Sequence, residues 1–202
     1  MSLIAQGSTL GLIGKVRAYS PLFLGASLVF WFDAANAIES GQNIMEVTNA
    51  GSLATSLVFT KPSGRPTLVG NEGEKIISHD GVDDSLETLY AIEEMSSFTF
   101  YAIVAPNGAG TFVRLGGAGK RIYFNDGWFF GDSPTVQIGA NHFDWQIIKN
   151  TVGSTGNGVW RVGADGDDVA PISAYWKTII VINRQLTLAE ESPLENWLAA
   201  RL

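Results

Sequence analysis

The sequence predicts an all-β domain, a two-sheet jelly-roll sandwich with one C-terminal α-helix and an extended N-terminal arm. Short apolar or alternating runs, separated by turn residues, recur from Leu28 to Ile182. Glycine makes up 23 of 202 residues, against an ordinary share of ~7%, which is typical of a chain with many tight turns. A clear helical pattern occurs at the C-terminus, so strands and helices do not alternate. About a dozen short strands favour two packed sheets.

The strands are expected where apolar residues alternate with polar ones or form short runs. In Ser97–Ala105, Phe98, Phe100, Ala102 and Val104 share one face, and the other face is also apolar, so this strand should be central. Asn125-Asp126-Gly127 predicts a hairpin turn. The candidate strands are Leu28–Asp33, Leu57–Thr60, Thr67–Val69, Lys75–Ser78, Ser85–Leu89, Ser97–Ala105, Gly110–Leu115, Arg121–Phe124, Gly127–Phe130, Thr135–Ile138, Asp144–Ile148, Gly158–Val162 and Tyr175–Ile182.

The C-terminal helix has two candidate start sites. Thr187 to Glu190 and Ser192 to Glu195 both fit the capping-box pattern. Ser192 is the better N-cap, because Pro193 then occupies the first helical position, where its missing N–H costs nothing. A helix that starts earlier would hold Pro193 in its interior at a cost of ~3 kcal/mol. The expected apolar stripe consists of Leu194, Trp197, Leu198 and Leu202.

Composition excludes several classes of function. The chain has no cysteine, which excludes disulfides, thiol catalysis and zinc sites with cysteine ligands. It carries 20 acidic and 13 basic residues, a net charge of −7. A nucleic-acid-binding module needs a basic surface, so nucleic acid is not an expected partner.

Residues 1–25 are expected to form an arm ahead of the domain, which spans residues 26–202. Lys15 and Arg17 follow the first apolar patch, whereas a secretory signal has its positive charges first, so no signal peptide is predicted. The second patch, Leu22–Phe32, is too short to span a membrane. The arm is either a disordered leader or an assembly element that anchors the chain to a partner. The candidate anchoring residues are Leu3, Ile4, Leu10, Leu12 and Ile13.

Five segments, in order, resemble a known family. They are the aromatic strand Leu28–Ala34, the step Gly64–Leu68, the turn Asp80–Leu86, the strand Phe98–Val104, and the closing strand and helix from Tyr175 to Leu202. This series resembles the concanavalin A-like (laminin-G-like) jelly-roll domains of bacteriophage tail, spike and decoration proteins. His79 departs from the pattern, since the family has Phe there, and the stretch Asp144–Val162 is shorter than usual.

Catalysis is not expected. Glycoside hydrolases use two carboxylates on the same side of the substrate. The family's hydrolase branch carries them as E-x-D-x-x-E, which is missing here, and the acidic pairs in this chain are adjacent residues, which point to opposite faces of a strand. The sequence also lacks G-x-S-x-G, and His79 and His142 are its only histidines. We therefore expect a protein that is not an enzyme.

Carbohydrate recognition needs an aromatic ring for the sugar's C–H face and polar groups for its hydroxyls. Tyr123 and Trp128 flank one hairpin turn, so both rings could reach one rim. Aromatic residues in a sandwich more often belong to the core, and we expect Trp31, Trp176 and Trp197 to do so. The candidate carbohydrate-binding residues are Arg121, Tyr123, Asn125, Asp126, Trp128 and Trp145.

No cofactor is expected, and calcium is the alternative, because laminin-G-like domains often hold it at a loop rim. Ca²⁺ takes 6–8 oxygen ligands. Asp165, Asp167 and Asp168 are the first candidates, and Asp80, Asp83 and Asp84 are the alternative. Asp-Gly turns, in which Asp accepts a hydrogen bond from its own backbone, account for both groups without a metal.

The family resemblance implies a virion-associated structural or attachment module, and the candidate aromatic and polar residues predict that it also binds cell-surface polysaccharide. The family resemblance implies a place on the particle surface, contacts to other virion proteins through the arm, and a homo-oligomer. Two alternatives stay open: a glycan-processing enzyme of the glycoside hydrolase type, and a purely structural decoration protein without a ligand.

Overall fold

The structure, a computed structural model, describes residues 19–58, 65–70, 74–117, 120–125, 128–130, 144–151, 154–163 and 171–202. Residues 128–130 are described by their main chain alone. The five candidate anchoring residues, Leu3 to Ile13, lie outside these ranges, as does the candidate strand Thr135–Ile138.

The described chain contains thirteen strands, a 3₁₀ helix and an α-helix. The 3₁₀ helix spans Pro21–Ser27. The strands are β1 Leu28–Ser40, β2 Asn43–Asn49, β3 Leu57–Val58, β4 Thr67–Val69, β5 Ile76–Asp80, β6 Leu86–Thr88, β7 Thr99–Pro106, β8 Gly110–Arg114, β9 Arg121–Asn125, β10 Trp128–Phe130, β11 Gln146–Asn150, β12 Arg161–Val162 and β13 Ser173–Ile182; the helix α1 spans Leu188–Ala199. The described helices include none that is long and apolar enough to cross a membrane.

Hydrogen bonding joins the described strands into one continuous sheet. The order is β10-β9-β8-β12-β6-β3-β2-β4-β5-β13-β7-β11, and β1 bridges β13 and β2. The strands β1, β2, β4, β5 and β13 therefore close a ring. The expectation of a mostly β domain with a C-terminal helix is confirmed, whereas the division into two separate sheets is not.

The long strand β1 is the physical reason that two separate sheets do not form. Its first residues, Leu28–Asp33, pair with β13, and its later residues pair with β2. The register with β2 shifts between Phe32 and Ala37. Such irregularities let one strand bend from one sheet into the next.

Two apolar cores lie on opposite faces of β7. Phe100, Ala102 and Val104 belong to the main core, and Tyr101 and Ile103 belong to a smaller core beneath α1. All five side chains are buried. The two-faced apolar pattern therefore correctly predicted a central strand, with β13 and β11 on either side of it.

The helix starts at the earlier of its two candidate positions, so the prediction of Ser192 as N-cap is wrong. Thr187 is the N-cap of α1, and Pro193 lies inside the helix. The Glu190 carboxylate accepts hydrogen bonds from the Thr187 N–H at 3.0 Å and the Thr187 hydroxyl at 2.9 Å. It also pairs with both terminal nitrogens of Arg184, at 2.7 and 2.9 Å. These contacts, with the burial of Leu194 in the smaller core, offset the hydrogen bond lost at Pro193.

Candidate functional site

The hairpin β8–β9 and the strand β12 present a polar outer face opposite the main core. Ile122 and Phe124 of β9 are buried in that core. Arg121, Tyr123 and Asn125 alternate with them and therefore lie on the outer face. Three of the six predicted carbohydrate-binding residues are thus neighbours along one strand face.

A shallow pocket of about 190 Å³ contains these three residues, and we call it the tyrosine pocket. Its other lining residues are Ala109, Gly110, Thr111 and Phe124. The Arg121 guanidinium lies over the Tyr123 ring, 5.2 Å from the ring centroid, which is a cation–π contact. Tyr123 is half-buried and Asn125 is exposed. An aromatic ring, a cation and an amide therefore line the pocket together.

A row of three arginines crosses the same outer face. Arg121 of β9 is the register partner of Arg114 of β8, and Arg114 is the register partner of Arg161 of β12. Register partners on antiparallel strands lie on the same face, so their side chains are neighbours. Glu87 of β6 follows as the partner of Arg161, and its carboxylate accepts from Arg161 Nε at 2.6 Å.

A second pocket of about 360 Å³ lies beside this row, and we call it the arginine pocket. Arg114 and Arg161 line it, together with Gly116, Gly117, Asn157, Gly158 and Val159. The Nε of Arg114 donates to the Gly116 carbonyl oxygen at 3.0 Å. The Asn157 side-chain oxygen accepts from the Glu94 N–H at 2.7 Å, which fixes the amide. Sequence analysis did not single out these residues.

Close approach of two backbone segments forms the wall of the arginine pocket. The Gly156 N–H donates to the Leu115 carbonyl oxygen at 2.8 Å. Gly116 has a φ of +87°, and a Cβ there would collide with the Gly156 carbonyl oxygen. Gly116 therefore serves chain packing, since only glycine combines this φ with this contact.

The other predicted binding residues are not part of the described tyrosine pocket. Asp126 lies outside the described residues, and Trp128 is known only as the main-chain partner of Asn125 in the β9–β10 ladder. Trp145 packs against the smaller core, with Lys177 Nζ 4.7 Å from its ring centroid. The structure thus does not bring Trp145 and Tyr123 together.

A cleft of about 390 Å³ lies near Lys177, between the end of α1, β1 and β13. Its charged groups pair with one another. The Arg201 guanidinium pairs with the buried Asp33 carboxylate, and Lys177 Nζ lies 2.9 Å from a Glu74 carboxylate oxygen. Lys177 also donates to the carbonyl oxygens of Arg201 and Leu202, at 3.0 and 2.9 Å. These contacts attach the end of α1 to the sheet, which explains the cleft as a structural feature.

The other tryptophans contribute mainly to packing. Trp176 and Trp160 are buried in the main core. Trp31 and Trp197 are half-buried and pack edge-to-face beside the smaller core, 5.7 Å apart. The expectation of a core position is confirmed for Trp176, whereas Trp31 and Trp197 pack against the smaller core and stay half-buried.

The two candidate calcium groups differ in what the structure describes. Asp165, Asp167 and Asp168 lie outside the described residues. The ligand atoms of Asp80, Asp83 and Asp84 lie within 4.8 Å of one another. Asp84 accepts from the Asp80 N–H, and Asp80 accepts from the Val82 N–H, both at 2.8 Å. These main-chain bonds account for the group as a structural turn.

His79 is a buried core residue with both ring nitrogens in hydrogen bonds. Trp176 Nε1–H donates to His79 Nε2 at 3.1 Å, so the proton lies on Nδ1, which is 3.2 Å from the Asp84 carbonyl oxygen. Burial lowers the pKa of His79 to about 4, because a charged imidazolium is poorly solvated there. Its environment therefore gives it a structural role.

No protein-family model and no curated protein matches this chain. Among solved structures it is similar to Trypanosoma rangeli sialidase in complex with sialic acid, with 12% identity and a TM-score of 0.56 over 84% of this chain. The covalent intermediate of the same sialidase with 2,3-difluorosialic acid gives 11% identity and a TM-score of 0.53 over 80% of this chain. This chain spans about a third (32%) of each sialidase chain. At this level of identity, the likeness shows the fold alone.

A weaker likeness extends to a carbohydrate-binding module, CsCBM6-3 from Clostridium stercorarium in complex with cellobiose. It has 12% identity and covers 78% of this chain and 95% of the module, with a TM-score of 0.36.

Proposed function

We propose that this chain is a carbohydrate-binding module and that the tyrosine pocket is its binding site. The observation that carries the proposal is the half-buried Tyr123 ring, with Arg121 over it and Asn125 beside it on the outer face. A sugar ring packs its C–H face against an aromatic ring. The guanidinium N–H groups and the amide then bond the sugar hydroxyls, which both donate and accept.

The likeness to sialidase supports this proposal at the level of fold. The sialidase structures that share the fold include a complex with sialic acid. The fold by itself hosts many functions, so the argument depends on the tyrosine pocket.

A glycan array of neutral and acidic oligosaccharides tests the proposal. The unmodified chain is expected to bind a subset of the array, and Tyr123→Ala should lower the affinity for that subset about tenfold, as truncation of a central aromatic contact does. Tyr175→Ala is the matched control, because Tyr175 is an exposed tyrosine on β13, paired with Ala105 of β7. Equal binding by Tyr123→Ala and the unmodified chain, or no binding at all, would contradict the proposal.

We propose further that the chain binds glycans without cleaving them. Among the described residues, the carboxylates of Asp80, Asp83 and Asp84 form a group of three, and two of them, Asp80 and Asp84, accept main-chain hydrogen bonds in a turn. The described residues that line the tyrosine and arginine pockets include no Asp or Glu. Release of sugar from an array ligand by the purified chain would support the glycan-processing enzyme instead.

The setting that we propose for this binding is attachment of a phage-like particle to a cell surface. Its support is the resemblance of five segments, from Leu28–Ala34 to the closing strand and helix, to phage structural proteins. Assembly through the arm into a homo-oligomer belongs to the same proposal. Light scattering on the full chain and on a chain lacking residues 1–18 tests it, and the same monomeric mass for both would contradict it.

A further inference from the structure

The sequence contains two Asn-Gly pairs, and the structure holds them differently. Asn107-Gly108 lies in the hairpin loop between β7 and β8, and Asn157-Gly158 lies shortly before β12. Both asparagines are exposed. An asparagine before glycine is prone to lose its side-chain amide, because glycine has no Cβ to keep its main-chain nitrogen away from the preceding side chain.

Asn157-Gly158 is fixed by three hydrogen bonds. The Gly158 N–H donates to the Ile92 carbonyl oxygen at 3.1 Å, and the Ile92 N–H donates to the Gly158 carbonyl oxygen at 2.8 Å. The Asn157 side-chain oxygen accepts from the Glu94 N–H at 2.7 Å. The main-chain nitrogen and the side-chain amide would have to break these bonds before they could react with each other.

Asn107-Gly108 is much less restrained. The Asn107 N–H donates to the Ser173 carbonyl oxygen at 2.8 Å, which attaches the start of the loop to β13. The side-chain amide of Asn107 makes a long contact, in which Nδ2 donates to the Ser173 hydroxyl oxygen at 3.4 Å. Within the described part of the chain, the Gly108 N–H has no hydrogen-bond partner. Exposure is equal at the two sites, so hydrogen bonding is what distinguishes them.

We propose that Asn107 is a site of spontaneous deamidation, in which the chain reacts with itself and with water. The Gly108 N–H loses its proton to solvent, and the nitrogen forms a bond to Cγ of Asn107. The bond from Cγ to Nδ2 breaks, and ammonia leaves with a proton from solvent. Water then opens the five-membered succinimide ring at either carbonyl, which gives aspartate or isoaspartate. The net change is a loss of ammonia and a gain of water, with no oxidation or reduction.

The modification changes the hairpin that borders the tyrosine pocket, which residues 109–111 help to line. Isoaspartate lengthens the main chain by one methylene group. Both ends of the loop are attached to neighbouring segments, since Asn107 bonds to Ser173 and Thr111 forms a bridge with Pro171. Loop length sets the register of a hairpin, so the extra group disturbs the pocket wall. This consequence, unlike the reaction itself, rests on the proposed function.

Mass spectrometry of the full chain, incubated in mildly alkaline buffer, tests the inference. Trypsin releases Asn107 in the peptide 76–114 and Asn157 in the peptide 150–161, where fragment ions separate it from Asn150. A sample digested before incubation corrects for reaction during digestion. Asn107 should react at least about tenfold faster than Asn157, because three hydrogen bonds restrain Asn157-Gly158. In urea, where these bonds are lost, the two rates should become similar.

Two variants locate the reaction on this pair. Gly108→Ala fits the loop, because the φ of Gly108 is not positive and the added Cβ would lie 3.7 Å from the Ser173 Cβ. The methyl group hinders the approach of the nitrogen, so Asn107 should react about tenfold more slowly in this variant. Asn107→Gln should give no comparable mass gain in the peptide 76–114, since its longer side chain would need a six-membered ring. Thermal unfolding confirms that both variants are folded.

Equal rates at the two asparagines of the folded chain, or a faster reaction at Asn157, would overturn the inference. An unchanged rate in Gly108→Ala would do the same.

The consequence for the tyrosine pocket is tested on the modified chain, which carries one more negative charge and is separated by ion exchange. It should bind the array ligands of the unmodified chain more weakly, and equal binding would overturn the consequence. If the unmodified chain binds no glycan, the proposed function fails, while the peptide masses still decide whether Asn107 is modified.

Discussion

Two buried residues, His79 and Asp84, should have opposite effects on stability as the pH changes. Burial raises the pKa of the Asp84 carboxyl to about 6, and lowers that of His79 to about 4. Between about pH 4 and 6, the folded state binds the Asp84 proton that the unfolded state releases, so Asp84 makes stability fall as pH rises. His79 is neutral in the folded state and protonated in the unfolded state there, so it makes stability rise with pH. The two contributions largely cancel.

Asp84→Asn should reveal the effect of His79 on the pH dependence of stability, because it removes the opposing effect of Asp84. The amide oxygen still accepts from the Asp80 N–H, while the cost of a buried charge at neutral pH disappears. The variant should therefore be more stable than the unmodified chain at pH 7, by at most about 3 kcal/mol, and this gain should vanish towards pH 4. Denaturant unfolding at several pH values measures it, with the less buried Asp83→Asn as control. A gain that does not vary with pH would contradict the account.

At the scale of elements, the start of α1 shows how two competing signals are resolved. Proline at the first helical position favoured Ser192, but the Thr187 cap gains a further partner that lies outside the helix. Arg184 pairs with the Glu190 carboxylate that also accepts from Thr187. This pair attaches the cap to the end of the strand β13, and local sequence patterns alone do not reveal it.

Paired substitutions at the two candidate caps test the helix start. Thr187→Ala should cost about 1 kcal/mol, because it removes an N-cap side chain. Ser192→Ala should have little effect, since Ser192 is an exposed residue within the helix. Free energies of unfolding from urea titrations decide between the two, and the reverse ranking would place the cap at Ser192.

Pro193 gives an independent measure of the same feature. Because its ring replaces an interior N–H of α1, Pro193→Ala should raise the free energy of unfolding by about 1–2 kcal/mol, after allowance for the greater freedom of alanine in the unfolded chain. The measurement is the thermal midpoint together with the calorimetric enthalpy. A lower thermal midpoint for Pro193→Ala would contradict a helix that begins after Thr187, since proline is favourable only at the first helical position.

The strand β2 was not predicted, and its burial pattern explains why. Ile44 and Val47 are both fully buried, yet they are three residues apart, so the segment lacks strict alternation. The register with β1 shifts between Ile38 and Glu39, which accommodates this spacing. Bulges of this kind depend on the partner strand and do not appear in a single segment.

For the whole molecule, the sequence predicted features that depend on residues close together in the chain. It missed features that depend on pairing between strands far apart in the chain. Arg121, Tyr123 and Asn125 are predicted together as binding candidates because they lie close in the sequence, and the structure places all three on one face of β9. Arg114 and Arg161 become neighbours only because β8 pairs with β12, a contact between segments far apart in the chain. No local pattern in either strand marks them as a pair.

An NMR titration of the ¹⁵N-labelled full chain tests the central claim most directly, namely that the outer face binds glycans. Neutral and acidic oligosaccharides are added in turn. The largest chemical-shift changes should occur in β8 and β9, around Thr111, Tyr123 and Asn125. Changes centred instead on Trp145 and Lys177 at the end of α1, or no change with any oligosaccharide, would contradict the claim.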